Sequence, residues 1–233
     1  MKTLTTNPTH LPSATPWLWR GIVLALLLWV SIDLFVPQRH SIRQFDPQVM
    51  ARQETAMWRS YYEKKPLLLF WQLAASLRQH FHAPFWRSFR IAFVATKAAF
   101  DFKKGHSRAD YMQALPPLIA YYQSIQAISI ESFSIEKVAR LELEWWIIHR
   151  QREHYSYNDL AKALAQTAAV QYNQPVPHFA VYGRWRAEAM RLRDESGQQL
   201  GGTTETDWQR IEQKLVRAWT ELHKALGATT TRS

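Results

Sequence analysis

The chain has 233 residues, of which 47% are hydrophobic and 13% aromatic, and this composition provides a sizeable core and excludes a disordered protein. Its net charge of +10 is concentrated in residues 39–104, which hold 12 Lys and Arg against 4 Asp and Glu. Cysteine is absent, which excludes disulfides, thiolate metal ligands and cysteine nucleophiles. Only 7 glycines accompany 11 tryptophans and long stretches lack turn signals, so the sequence predicts an all-α fold.

After an N-terminal tail at residues 1–16, residues 17–36 form a mostly apolar stretch, WLWRGIVLALLLWVSIDLFV. As a helix this stretch is about 30 Å long, which matches the hydrocarbon thickness of a bilayer. Arg20 and Asp33 lie near its two ends, where long or polar side chains reach the headgroups. Because no pair of small residues follows the apolar centre, signal peptidase has no site, and we predict an uncleaved transmembrane anchor.

The predicted location is therefore the cell membrane, with a single span. On the N-terminal side of the span lie Lys2, Arg20 and the amino terminus, and Arg39, Arg43 and Arg52 follow it. This balance marginally favours a cytoplasmic domain. Export of the domain, with the span as a signal anchor, is the close alternative.

A short linker is predicted at residues 37–45, and a first helical unit at residues 46–127. Asp46 supplies an N-cap and Pro47 occupies the first helical position. Further helices in this unit are predicted to begin at Pro66, Pro84 and Ser107, the last of which resembles a capping box with Asp110.

A second helical unit is predicted at residues 134–227, followed by a disordered tail at residues 228–233. Four segments in this unit have the polar or proline starts that are typical of helices. These starts are Ser134, Asn158, Pro177 and Thr204.

The two units share a pattern that indicates a tandem duplication. The motif A-R-x-E-x-x-x-W occurs at residues 51–58 and again at an offset of 88, which pairs Glu54 with Glu142. The last helices match at an offset of 97, which pairs Tyr122 with Trp219. Repetition in the same order predicts two related half-bundles that superpose helix by helix.

Several predicted helices carry one carboxylate inside an apolar stripe, and helical spacing places Glu54 and Glu142 inward. A ferritin-like metal site would draw such carboxylates from four helices. Its ligands would be Glu54, Asp101, Glu142 and Glu188. The Glu-x-x-His step of those sites is absent, because Met57 and Trp145 stand where histidine is required. The sequence therefore predicts no metal and no cofactor, with the metal site as the alternative.

Buried carboxylates without imidazole partners are expected to pair with cations, and tyrosine hydroxyls to complete their hydrogen bonds. The candidate cations are Arg52, Arg59, Arg140, Arg150, Arg184 and Arg186. Two histidines, His80 and His82, flank the helix break before Pro84, where solvated loop histidines are expected.

No Walker loop, dinucleotide-binding glycine pattern, zinc-protease motif or nucleophile elbow occurs. Because the basic excess follows the predicted anchor, anionic membrane lipid is favoured as a partner over nucleic acid. The basic residues predicted to face lipid are Arg39, Arg43, Lys64, Lys65, Lys103 and Lys104.

The sequence thus predicts a membrane-anchored, non-enzymatic interaction or assembly subunit that acts at the membrane surface. A membrane protein is a second candidate partner. The alternative function is that of a membrane-bound helical-bundle enzyme that uses the carboxylate-rich metal site.

Overall fold

The computed structural model describes residues 16–227, so the predicted tail at 228–233 and nearly all of the tail at 1–16 lie outside the described residues. It divides into two compact units, one ending at Val36 and one beginning at Pro37. The first unit holds helix α1 (Pro16–Phe35), whose apolar side chains are largely exposed. By length and composition, this helix is capable of crossing a membrane.

The second unit, the helical domain, contains the remaining helices. Within residues 16–227 no β-strand is formed beyond a single isolated bridge, so the all-α prediction is confirmed. Two short 3₁₀ turns, Met112–Ala114 and Val176–Phe179, precede helices α6 and α9. The helices are α2 (Pro47–Tyr62), α3 (Pro66–Phe81), α4 (Phe85–Lys104), α5 (Arg108–Tyr111), α6 (Leu115–Ala127), α7 (Ile135–Arg150), α8 (Tyr157–Gln171), α9 (Ala180–Gly197) and α10 (Glu205–Gly227).

Some helix starts in the domain are fixed by side-chain caps of residue types that are typical of N-caps. The Asp46 carboxylate accepts hydrogen bonds from the backbone N–H groups of Gln48 and Val49, as predicted for an N-cap before proline. Ser107 and Asp110 form a complete capping box. The prediction for α8 was wrong by two residues, because Ser156, and not Asn158, caps that helix.

Eight long helices form a closed ring in the described part of the domain. Each of α2, α3, α4, α6, α7, α8, α9 and α10 packs against the next one along the chain, and α10 returns to pack against α2. We call this arrangement the helical ring. Neighbours joined by short connections are the arrangement that helical bundles favour.

The segment predicted as a linker contributes to the core of the domain. Ile42 and Phe45 are buried, although they precede the first helix of the ring. The backbone of His40 forms hydrogen bonds with Ile128 and Ile130, which tie this segment to the connection between α6 and α7. The domain from Pro37 onward therefore has a hydrophobic core of its own.

Helices α8 and α9 approach each other closely at Gly183. A Cβ atom at this position would lie 2.2 Å from the backbone oxygen of Ala161, a contact that no side-chain rotation relieves. We expect Gly183→Ala to lower the free energy of unfolding by about 1–3 kcal/mol, because the two helices must separate.

The matched control for this substitution is Gly227→Ala, whose Cβ atom would meet nothing within 4 Å. Its effect should stay within about 0.5 kcal/mol. Urea unfolding of both variants measures the difference, and equal stabilities would contradict the close packing of α8 on α9.

Candidate functional site

The helical ring lines a cavity of about 250 Å³, which we call the central cavity. Every long helix of the ring except α4 contributes side chains to its wall. Its lining mixes apolar side chains with an unusual number of polar ones for a protein interior. The polar lining residues are Glu54, Ser76, His80, Tyr121, Glu142, Thr167, Gln171, Tyr172, Tyr182 and Arg186.

An ion pair between the buried Glu54 and the partly buried Arg186 lies in the wall of the central cavity. One Glu54 oxygen, Oε1, accepts hydrogen bonds from Nη2 of Arg186 at 2.7 Å and from its Nε at 3.1 Å. The other oxygen, Oε2, accepts from Nε1 of Trp219 at 2.7 Å, and Nη1 of Arg186 donates to the Tyr182 hydroxyl at 2.9 Å. Glu54 is only 4% exposed, so water does not replace these contacts.

The surroundings of Arg186 keep its guanidinium charged. Burial acts to lower its pKa, but the nearby charge of Glu54, followed by the electrostatic interactions with Tyr182 and Glu142, outweighs burial, and the pKa rises above its ordinary value. Arg186 is one of the cations proposed from the sequence as partners for inward carboxylates. The ion pair expected for Glu54 is therefore present.

The second inward carboxylate, Glu142, has aromatic partners. Its Oε2 accepts from the Tyr122 hydroxyl at 3.0 Å and its Oε1 from Nε1 of Trp146 at 3.1 Å. Burial, and then the Glu142 charge, raises the pKa of Tyr122 well above its ordinary value. The phenol is therefore the hydrogen-bond donor in this contact.

Two pairs of positions that the sequence offsets align have matching contacts. The sequence offsets align Glu54 with Glu142 and Trp219 with Tyr122. In the structure, Glu54 accepts a hydrogen bond from Trp219, and Glu142 accepts one from Tyr122. One contact joins α10 to α2, and the other joins α6 to α7, so both lie where one predicted unit meets the other.

The four carboxylates of the metal-site hypothesis do not meet. Glu54 and Glu142 share the central cavity, whereas Asp101 pairs with Lys97 at 2.6 Å and Glu188 pairs with Lys214 at 2.9 Å. Neither of those two lines the cavity. Among residues 16–227, no group of three or more His, Asp or Glu residues is placed to hold a metal ion.

The solvated position predicted for His80 was wrong. This residue belongs to the last turn of α3 and is buried, and its Nε2 lies 3.0 Å from the Tyr172 hydroxyl. Burial, followed by the charges of His82 and Arg186, lowers its pKa to about 3, so the imidazole is neutral. His82 is exposed, as predicted, with Nε2 lying 2.8 Å from the Gln44 carbonyl oxygen.

The basic residues predicted to face lipid have different positions. Arg39, Lys64, Lys65, Lys103 and Lys104 are exposed, and Lys65 pairs with Glu63. Arg43 faces inward instead, because its Nη2 donates to the Tyr172 carbonyl at 2.8 Å and its Nε lies 3.8 Å from Glu131. Its guanidinium is thus held by the domain itself.

Comparisons of the chain with models of known protein families, with curated proteins and with solved structures found no match.

We expect Glu54→Ala to lower the free energy of unfolding by about 3–5 kcal/mol, because the substitution leaves the largely buried Arg186 charge without its closest partner. Glu205→Ala is the matched control. Glu205 also pairs with an arginine, Arg59, at 2.8 Å, but its side chain is 64% exposed. Its removal should cost about 1 kcal/mol or less.

Denaturant unfolding of the two variants, with elemental analysis of each, separates an ion pair from a metal ligand. A Glu54→Ala protein that keeps wild-type stability while losing a bound metal would contradict the structural role and favour the metal alternative.

The buried His80 predicts a loss of stability in acid. Its pKa of about 3 in the folded domain lies below the ordinary value of 6.5, so only the unfolded chain takes up a proton between these values. Stability should be complete above pH 6.5 and fall as the pH decreases towards 3, by up to about 1.4 kcal/mol per pH unit from this residue.

Urea unfolding at a series of pH values tests this expectation. The slope should flatten in His80→Gln, whereas His154→Gln, which alters a histidine with a 69% exposed side chain, should keep the wild-type slope. Identical slopes in the wild type and both variants would contradict a neutral, buried His80.

Proposed function

We propose that this protein is a membrane-tethered, non-enzymatic interaction subunit whose helical domain docks against an anionic bilayer through the outer surface of α3 and α4. Helix α1 is the proposed tether. The observation that carries the proposal is a stripe of alternating cations and aromatic side chains on α4. We call it the outer stripe, and its members are Arg90, Phe93, Lys97, Phe100 and Lys104.

The geometry of the outer stripe suits a membrane interface. Its residues follow one another at helical spacings of three or four, so they share one face of α4, and all five are exposed. Phe93 is 65% exposed. Phenylalanine rings that enter the headgroup region, with Lys and Arg beside them, are the pattern of interfacial helices.

The first turns of α3 extend this surface with apolar side chains. Leu67 is 80% exposed, and Leu68 and Trp71 are exposed beside it. The ring of Trp71 lies 4.9 Å from that of Phe89, one turn before Phe93, which makes the apolar surface continuous between the two helices. Exposed apolar surface of this kind indicates a binding face.

The charge of this region favours lipid as the occupant. Residues 64–104 contain eight Lys and Arg and one acidic residue, Asp101. Anionic lipid supplies complementary charge at roughly 1 kcal/mol per well-placed cation. Nucleic acid offers phosphates too, but the exposed aliphatic side chains of Leu67 and Leu68 gain more from acyl chains than from phosphates or bases.

The proposal predicts salt-sensitive binding of the domain to anionic vesicles. A protein that begins at Gln38 retains the domain's own core and tests the surface without α1. We expect it to bind phosphatidylserine-containing vesicles more tightly than phosphatidylcholine vesicles, and binding should weaken as salt screens the surface charges. Arg90→Gln should weaken binding about fivefold, and Phe93→Ser should weaken it at every salt concentration.

Leu200→Ser, in the exposed loop between α9 and α10, is the control for Phe93→Ser. It should leave vesicle binding unchanged. Equal binding to neutral and anionic vesicles, or equal losses in both serine variants, would reject lipid docking. A membrane protein retained by the outer stripe in place of lipid would then become the better assignment.

A further inference from the structure

A second cavity, of about 470 Å³, lies where the C-terminal ends of α2, α4, α7 and α9 meet. We call it the mouth pocket. Its size is that of a site for a small organic molecule. Its walls are rich in aromatic rings, namely Trp58, Tyr61, Tyr62, Phe102, Trp145 and Trp146. Trp58 and Trp145 also line the central cavity, so they separate the two spaces.

Four cations surround the mouth pocket, against a single carboxylate. The cations are Lys103, Arg150, Arg152 and Arg193. The carboxylate, Asp194, has only 4% of its side chain exposed and contacts Arg152, with Arg193 at 3.8 Å and Nε2 of His149 at 3.1 Å. Two cations therefore share one counter-charge, whereas Lys103 and Arg150 have no ion pair among the described residues.

The remaining titratable groups leave this positive excess in place. Burial, followed by the charges of Arg152, Arg193 and Arg186, lowers the pKa of His149 to about 4, so its imidazole is neutral at neutral pH. Tyr62 and Tyr157, which lie close to Arg193 and Asp194, are phenols whose pKa values are raised, chiefly by burial. The pocket thus offers a net charge close to +3.

Two hydrogen-bond donors in the wall lack acceptors. Nε1 of Trp145 and Nε of Arg193 are buried and form no hydrogen bond within the described residues. Both atoms are shielded from solvent, so a ligand oxygen in the pocket does not reach them without a shift of the wall. The C-terminal ends of four helices carry partial negative charge, which favours cations near this pocket.

We propose that the mouth pocket binds an organic phosphate monoester that carries a planar aromatic body. A phosphate monoester has a charge near −2 and three acceptor oxygens, which match the excess of cations better than a carboxylate does. The aromatic body lies among the rings of the walls, where stacking and edge contacts add to affinity. The mouth pocket and the outer stripe share no side chains, so this proposal is independent of lipid docking by the outer stripe.

Calorimetric titration of the full chain in nonionic detergent tests the proposal, with phenyl phosphate as the probe. We expect one binding site. Lys103→Gln and Arg150→Gln should each weaken binding by about tenfold or more, which is typical of losing a hydrogen bond to a charged group. Both residues are exposed at the rim, so these variants should melt like the wild type. Lys224→Gln, which alters an exposed lysine on α10, should bind as the wild type does.

Two further probes and one variant in the pocket wall test whether both the phosphate and the aromatic ring of the ligand are recognised. Benzoate and inorganic phosphate should each bind at least tenfold more weakly than phenyl phosphate. Benzoate lacks the phosphate group, and inorganic phosphate lacks the aromatic ring. Tyr61→Ala should weaken phenyl phosphate but not inorganic phosphate. If phenyl phosphate fails to bind, if benzoate equals it, or if Lys224→Gln weakens it as much as the rim variants do, the proposal is wrong.

Discussion

The positive charge of Arg186 lies in the wall of the central cavity, where the side chain is only partly exposed, and Glu54 is its neutralising partner. Removing two charged groups from water costs several kcal/mol, which only good geometry and additional hydrogen bonds recover. Here Trp219 and Tyr182 provide those bonds. The four residues come from α2, α9 and α10. The charge is therefore satisfied only when α9 and α10 pack against α2.

This requirement explains why the interior is polar. Apolar packing alone specifies ring closure weakly, because many helix orientations bury similar areas. A buried charge network admits few arrangements, since each unsatisfied member is costly. Glu142 is also held by hydrogen bonds, where α6 meets α7. Its donors are uncharged, namely the phenol of Tyr122 and the indole of Trp146. Both junctions therefore depend on polar contacts across neighbouring helices.

Much of the fold was predictable, because its signals are local. Caps such as Asp46 and Ser107 act over three residues, and the inward position of Glu54 follows from spacing along one helix. The sequence indicates six arginines as candidate partners of Glu54 but does not distinguish among them. Spacing along one helix carries no information about which helices become neighbours. His80 was misplaced for a related reason. Its burial comes from Phe45, Phe81 and Trp219, which are contributed by three different parts of the chain.

The sequence does not predict the mouth pocket, because the residues that line it are dispersed over four helices. In the sequence, Lys103 and Lys104 form one basic cluster, and both are predicted to face lipid. In the structure they serve different surfaces, since Lys103 lines the mouth pocket and Lys104 extends the outer stripe. Neighbouring positions on a helix differ by about 100° in direction, so a cluster in sequence is divided between two faces. Helix α4 contributes to both the mouth pocket and the outer stripe. Unlike the other long helices of the ring, it gives no side chain to the central cavity.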